Sequence, residues 1–354
     1  MDLMLKQFGN RGAAAGLAAA VLFGAGTPVA KLLLGHVGPW LLAGLLYTAA
    51  GIALFGWRLL RRKPAVHIPR RDLPALVGAV FFGGLVAPVL LMLGLSGMPA
   101  SGASLLLNAE GLFTALIAWL VFHEATDRRI VGGFGLIAAG AVVLSWPGQP
   151  QFGGLWPTVA VLGACLSWGI DNNLTRQVAT HDAAWLAAVK GVVAGPANLV
   201  LAFALGSQLP TLPVLAGAAM VGIVSYGISL VLFIRALGML GTARAGAYFS
   251  VAPFFGAALA ILFGEPLTAT LLVAALLMGA GLALHLSERH EHSHTHEALR
   301  HDHEHGHDDG HHLHHHDPPL PSGVRHRHVH DHHQMDHSHR HFPDDNHRHS
   351  HRDR

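Results

Sequence analysis

The sequence predicts an all-α integral membrane protein: ten transmembrane helices arranged as two inverted five-helix repeats, followed by a disordered tail. Three observations carry this. The chain of 354 residues is 51% hydrophobic and only 12% charged, too apolar for a soluble protein of that length. Its apolar residues fall into runs close to the roughly 20 residues that a spanning helix needs, separated by short breaks of Gly, Pro or charge. Finally, 24 of the 29 histidines and most of the acidic residues lie after Leu286, so a membrane body and a polar tail obey different physics.

The runs lie near 12–34, 39–57, 73–94, 100–122, 130–147, 155–174, 183–205, 213–235, 243–263 and 267–286. They are continuously apolar and rich in Ala, Leu and Gly, which fits helices; a membrane barrel shows short alternating segments. The first run follows Lys6 and Arg11 as a secretory signal would, but it leads into another long apolar segment without a convincing cleavage site and reads as an uncleaved span. Loop charge tests the count. Arg58, Arg61, Arg62, Lys63, Arg70 and Arg71 lie between runs two and three, Arg128 and Arg129 between four and five, Arg176 after six, and Arg235 and Arg244 between eight and nine. The intervening breaks contain no Lys or Arg, so ten spans with both termini in the cytoplasm satisfy the positive-inside rule. A bacterial inner membrane is the expected location.

An internal repeat supports the same count. Phe23-Gly24, Lys31 and Trp40 recur as Trp168-Gly169, Arg176 and Trp185 at a shift of about 145 residues, and Phe122, Glu124 and Gly140 as Phe263, Glu265 and Gly281 at about 141. Five spans is an odd number, so the second half enters the membrane in the opposite orientation. The expected units are residues 1–147, 148–287 and the tail, 288–354.

Several segments resemble the EamA-type family of the drug/metabolite transporter superfamily. Pro99-Ala100-Ser101-Gly102-Ala103-Ser104 through Asn108 to Phe122-His123-Glu124 is similar to the family's fourth helix. Ser167-Trp168-Gly169, and Gly246-Ala247-Tyr248-Phe249 through Ala252-Pro253 to Gly264-Glu265, extend the likeness across residues 12 to 286. The resemblance implies two five-helix halves and alternating-access movement of small solutes, without naming a cargo. The chain departs from the pattern in span two, where apolar Gly44 and Leu45 stand where relatives often carry a basic residue; span seven keeps one, Lys190.

A charge at membrane depth costs roughly 2.5–3.5 kcal/mol on insertion scales, so each such residue needs a reason. Glu110, with Asn108 two residues before it, lies in the middle of span four and reads as a substrate or proton-coupling carboxylate, or else as a hydrogen-bonded structural one. Asp171, near the end of span six, and Lys190, two turns into span seven, come to similar depth in antiparallel neighbours, which suggests a membrane ion pair or gate. Tyr226 and Tyr248 are candidates to line a cavity. Glu124 and Glu265, at equivalent helix ends, read as structural anchors, and the lone Cys165 as a small core residue.

The tail alternates His with polar residues: His290, His292, His294, His296, His301, His303, His305 and His307; the cluster His311, His312, His314, His315 and His316; then His326, His328, His330, His332, His333, His337, His339, His341, His347, His349 and His351. With few apolar residues it cannot build a core, which predicts disorder. Neutral imidazole ligates Zn, Ni, Cu and Co, and a spacing of two places ligands on one side of an extended chain.

The expected function is secondary active transport of a small solute, with no required cofactor. The tail suggests a divalent transition metal (Ni, Co or Zn) as cargo, chelated at the cytoplasmic mouth. Against this, His36, His67, His123, His181 and His285 all fall in loops or at span ends and the lone Cys165 reads as a core residue, leaving no His or Cys suited to a soft metal at membrane depth. The alternatives are a metabolite or drug exporter whose tail regulates or stores metal, and a non-transporting, membrane-anchored metal sensor. The expected partners are the lipid bilayer, a small solute and transition-metal ions; nucleic acid is not among them, and oligomeric state is open. An enzyme is the least expected class, because no nucleophile–base pair, phosphate loop or paired-carboxylate motif appears.

Overall fold

A computed structural model of the chain describes residues 2–66, 68–122, 128–145, 155–177, 182–240 and 248–286, and in the tail 291–296, 299–305, 326–332 and 335–340. The chain divides into two compact units, Met1–Glu288 and Arg289–Arg354.

The first unit is helical. Its segments are Asp2–Leu33, Pro39–Leu60, Arg70–Gly97, Ala100–Leu106 with Ala109–Phe122, Arg128–Ser145, Leu155–Gln177, Ala183–Ala204, Leu212–Leu240, Ala252–Leu262 and Ala269–Leu286, called spans one to ten below. Among the described residues, six of these are long and apolar enough to cross a membrane, and three shorter apolar helices lie in spans five, nine and ten. Span six, Leu155–Gln177, is the remaining one, and its hydropathy is lowered by Asp171, Asn172 and Asn173. Span one begins earlier than the apolar pattern suggests, and span four is interrupted at Leu107–Asn108.

The packing is that of two exchanged halves. Span one packs on eight and nine, and span six correspondingly on three and four; span two lies along seven, and five along ten. The residues that repeat in sequence sit at these crossings. A Cβ on Gly24 would lie 2.3 Å from Ala252 O in span nine, and one on its counterpart Gly169 would lie 3.0 Å from Thr114 N in span four. Gly140 and Gly281 play the same part between spans five and ten, 3.2 Å from Ala274 O and 2.7 Å from Gly133 O. Lipid tails are as apolar as Leu, so association in a bilayer depends on close backbone packing, and small residues supply it.

The most extensive crossing is that of spans two and seven. A Cβ on Gly51 would stand 2.6 Å from Gly191 C, and one on Gly191 would stand 2.5 Å from Gly51 Cα. Both obstacles are backbone, so neither can yield. Gly51→Val is therefore expected to separate the two spans and destabilise the fold by at least about 1–3 kcal/mol. Size-exclusion chromatography in detergent checks this: a monodisperse peak and melting temperature equal to wild type would contradict the crossing.

Spans three and eight share a further feature, a π-helical turn at Val80–Val86 and at Gly222–Ile228. In span three the cause is local. Ala87 N–H bonds to Phe82 O, and Pro88 has no N–H to offer the carbonyls of Gly83 or Gly84. Those oxygens need other donors at membrane depth. Tyr47 Oη and Trp168 Nε1 both donate to Gly83 O at 3.2 Å, while Asn198 Nδ2 lies 3.4 Å from Gly84 O and Leu85 O.

In the second unit, where composition predicts disorder, the described residues pair as four short antiparallel strands. β1 (Glu291–His296) pairs with β4 (Met335–Arg340), and β2 (Leu299–His305) with β3 (His326–His332). Strict alternation of residue types is the pattern of an extended chain, and it is the alternation rather than a core that these ladders express. His290, His307, the cluster from His311 to His316, His333, His341, His347, His349 and His351 lie outside the described residues.

Candidate functional site

A cavity of about 450 Å³ lies between spans one, two, three, four, six, seven and eight, with Phe249, just before span nine, completing its lining. Its lining runs from mid-span, at Phe23, Gly83, Glu110 and Ser225, toward the ends that adjoin the basic loops: Leu54 near the end of span two, Asp171 and Asn172 near the end of six, Lys190 near the start of seven, and Phe233 late in span eight. The largest fully buried side chains lie toward the opposite ends, among them Leu41, Leu42, Leu91, Leu95, Leu105 and Leu106. One half of the bundle is hollow and the other is packed shut.

The cavity has two unlike walls. One is polar. Glu110 Oε1 accepts from Asn172 Nδ2 at 3.0 Å, and the same amide reaches Thr114 Oγ1 at 3.1 Å. Asn173, one residue on, donates to Thr114 O and Gly169 O and pins span six to span four. Lys190 Nζ pairs with Asp171 Oδ1, and Thr175 Oγ1 binds both partners, at 2.8 Å from the carboxylate and 3.0 Å from the ammonium. A Cβ on Gly83 would lie 1.9 Å from Asp171 Oδ2, so only glycine in the π turn leaves room for this carboxylate.

The other wall is aromatic. Tyr47, Tyr226, Phe23, Phe249 and Phe233 form a continuous chain, with successive ring centroids 5.7, 5.8, 5.2 and 4.6 Å apart. Such spacings are those of favourable edge and tilted contacts. Ser225 and Ser229 also face the cavity, and Ser229 Oγ donates to Ala19 O at 2.9 Å.

Of the residues singled out from sequence, Glu110, Asp171, Lys190 and Tyr226 meet in this cavity. Asn108 does not line it: the residue is 9% exposed and its Nδ2 donates to Leu105 O at 2.8 Å, filling the backbone gap where span four is broken. Tyr248 is 39% exposed and lies against Gly16 outside the cavity, its place taken by the adjacent Phe249. Tyr47, Trp168 and Asn172 are the main residues that sequence reasoning did not assign to the site. Pro88 inside span three was the available signal for two of them, since it orphans the carbonyl that Tyr47 and Trp168 both satisfy. Cys165 is buried, its Sγ 3.6 Å from Leu106 O.

Both ends of the bundle are clamped. At the packed end, Lys31 Nζ donates to Leu95 O at 2.7 Å and Ser96 O at 3.2 Å, and Glu265 accepts from Ala100 N at 2.7 Å and Ser101 N at 2.9 Å. Spans one and nine thereby hold the turn between spans three and four from both sides. Glu265→Ala removes two charge-assisted bonds and is expected to cost about 2 kcal/mol, read as a lowered melting temperature in detergent; an unchanged melt would show that the clamp carries no stability. The counterpart Glu124 lies outside the described residues.

At the other end, Arg58, 6% exposed, pairs with Asp182 and donates to Pro64 O at 3.0 Å. Asp182 also caps span seven, accepting from Ala184 N and Trp185 N. Burial pushes the Asp182 carboxyl up, but the Arg58 guanidinium and the two N–H donors together outweigh it and hold the group below its ordinary value. A depressed carboxylate stabilises the fold above the unfolded value of about 3.9 and loses that contribution as pH falls through the folded value. Melting curves of wild type and Asp182→Asn, which keeps the cap but not the charge, are expected to differ at neutral pH and to converge as pH falls through the lowered folded value.

With two equivalent halves and a solute-sized cavity at their interface, the question of kinship is decided by the family profile, which matches residues 10–146 and again 155–287. The chain belongs to the EamA-like transporter family. The two matches coincide with the two exchanged halves. The chain is 30% identical over 288 residues to an "Uncharacterized transporter" of Methanothermobacter thermautotrophicus, covering 75% of this chain and 83% of that protein. It is also 30% identical over 295 residues to a "Probable amino-acid metabolite efflux pump" of Salmonella typhimurium, covering 75% and 91%. A solved crystal structure with 20% identity matches with a TM-score of 0.58 over 77% of this chain and 95% of its own, which shows the shared fold. As an EamA-like transporter, the chain is an integral membrane protein acting on small solutes.

Proposed function

We propose that this EamA-like protein moves small, amphipathic zwitterions of the amino-acid class by alternating access, out of the cytoplasm. The observation that carries the reading is the division of the cavity: a carboxylate with an amide (Glu110, Asn172) and an ion pair (Asp171–Lys190) on one wall, five aromatic rings on the other. Lys190 offers a cation to a solute carboxylate, Glu110 an anion to its ammonium group, and the rings an apolar surface to its side chain. A volume of about 450 Å³ suits such a molecule. The Salmonella relative's description as an amino-acid metabolite efflux pump points the same way.

The cavity's lining includes no His or Cys, the donors that select Ni, Co or Zn, and among the described residues no group of three metal-ligating side chains gathers. An organic cargo is therefore the reading the cavity supports, with the tail a separate accessory. Under the positive-inside rule the basic loops mark the cytoplasm, so the hollow half loads from inside and the Lys31–Glu265 clamp seals the far side. Opening outward requires that clamp to part and the cavity to close, and protonation of Glu110 is the coupling event.

Equilibrium binding to the purified full chain tests the recognition scheme. An apolar amino acid is expected to bind at least about tenfold more tightly than its N-acetyl derivative or its methyl ester, since each blocked form leaves one charged wall group unpaired. Equal affinity for all three would refute recognition of both charges.

A further inference from the structure

We infer that the link between spans two and three, from Arg61 to Arg71, is a binding surface for the headgroups of anionic phospholipids. The inference does not depend on the transported solute. It starts from the way span two ends. Arg62 N–H bonds to Leu59 O at 3.0 Å and Lys63 N–H to Arg58 O at 3.1 Å, the pair of bonds that closes a helix around one residue in the left-handed conformation. That residue is Arg62, at φ 48°, and among the described residues it is the one non-glycine residue with a positive φ.

Spans seven and nine end in the same motif. Gly206 N–H bonds to Phe203 O and Ser207 N–H to Ala202 O; Gly264 N–H bonds to Ile261 O and Glu265 N–H to Ala260 O. Both use glycine at the left-handed position, and neither turn carries a Lys or Arg. Glycine is favoured there because a Cβ in this conformation crowds the neighbouring carbonyl oxygen. Span two keeps an arginine where the backbone is better served by no side chain at all. The positive-inside rule asks for cations somewhere in this link, but not at the one position where they strain it.

The turn displays a concentration of charge. Arg61, Arg62, Lys63, Arg70 and Arg71 are all exposed, five cations against one acid, Asp72, which lies 3.5 Å from Arg71 Nε. Their depth follows from their neighbours. Leu59 and Leu60, directly before the turn, are 76% and 87% exposed, and Leu73, Val77 and Phe81 are exposed in the first turns of span three. Apolar side chains so exposed on spanning helices face acyl chains, which places the adjoining cations at headgroup level. Their aliphatic stems lie along hydrocarbon while the charged ends reach phosphate, and guanidinium groups bind phosphate oxygens in pairs. Each such cation near an anionic surface adds about fivefold to affinity.

The link is fixed to the bundle. Arg58 donates to Pro64 O at 3.0 Å and pairs with Asp182, the cap of span seven, while Ile68 packs against Ala75, Leu76 and Leu186. The cations therefore stand on a rigid frame, and a lipid held there bears on the starts of spans three and seven.

Native mass spectrometry of the full chain, released from bilayers of mixed phosphatidylcholine and phosphatidylglycerol, tests the inference. Wild type is expected to retain phosphatidylglycerol over phosphatidylcholine by at least about tenfold. R61Q/K63Q/R70Q/R71Q is expected to lose at least about tenfold of that preference, whereas R128Q/R129Q/R235Q/R244Q, which removes the same number of cations outside the link, keeps it. Arg62→Gly covers the case in which the first variant does not fold. It relieves the turn, so its melting temperature in phosphatidylcholine is expected to match or exceed that of wild type while retention of phosphatidylglycerol falls about fivefold. Equal losses in the two fourfold variants would mean attraction to the whole basic face rather than to this link. Wild-type retention by Arg62→Gly would mean that the arginine is not kept for lipid, and displacement by inorganic phosphate alone would assign the surface to a soluble anion. Each of these results, or no lipid preference in wild type, overturns the inference.

Discussion

Replacing Glu110 with Gln is expected to abolish pH-gradient-driven accumulation of solute while leaving the protein folded. Among the described residues lining the cavity the acids are Glu110 and Asp171, and Asp171 is held by Lys190 and Thr175. Among the described residues, the side-chain partner at the Glu110 carboxylate is the amide of Asn172, at 3.0 Å. Glu110 is therefore the acid free to exchange a proton as the cavity changes sides. Glutamine keeps an oxygen for Asn172 but is locked in the neutral state. Glu110 also faces the solute ammonium in the proposed scheme, so exchange without a gradient should need more solute for half-maximal rate but remain measurable at saturation, where stimulation by the gradient should fall at least about tenfold, equivalent to about 1.4 kcal/mol. A gradient response equal to wild type would place the coupling elsewhere.

The second large effect concerns the ion pair. The Asp171 and Lys190 side chains are 7% and 16% exposed, so removing one partner leaves a nearly buried charge. Lys190→Met is expected to destabilise the fold by about 3–5 kcal/mol, and Asp171→Asn with Lys190→Met to recover most of that loss, because a buried pair contributes little net stability over neutral groups of similar size. Transport should not recover with it, since the double variant lacks the cation that takes the solute carboxylate. Melting temperature and solute exchange, measured on the same preparations, separate the two roles. A double variant that transports at the wild-type rate would reduce the pair to a structural feature.

These effects also show how far the sequence could be read. Alternation of basic and uncharged breaks gave the span count, because a bilayer makes every loop declare its side. The repeated glycines were legible as a repeat but not as what they are, the contact points of crossed helices: Gly24 and Gly169 do equivalent work against spans nine and four. Charged residues at depth stood out, and Glu110, Asp171 and Lys190 do meet. What stayed hidden depends on irregular backbone. Pro88 turns part of span three into a π segment, frees the Gly83 carbonyl and draws Tyr47 and Trp168 onto it. Helical periodicity assumes regular geometry and carries no trace of such a turn. Asn108 misled for the related reason that a polar residue beside Glu110 serves a break in its own helix rather than the cavity. In the tail the alternation is plain in the sequence, whereas which strand pairs with which emerges only from the register.

The most direct test of the account is solute exchange by the full chain and by a chain ending at Ser287, each reconstituted in vesicles, with apolar and aromatic amino acids and with Ni, Co and Zn as competing cargoes. The account predicts exchange of amino acids by both chains, slowed by Lys190→Met with Asp171→Asn, and no flux of the metals. Metal flux through both chains, with no amino acid exchanged, would contradict it and return the metal ion to the position of cargo.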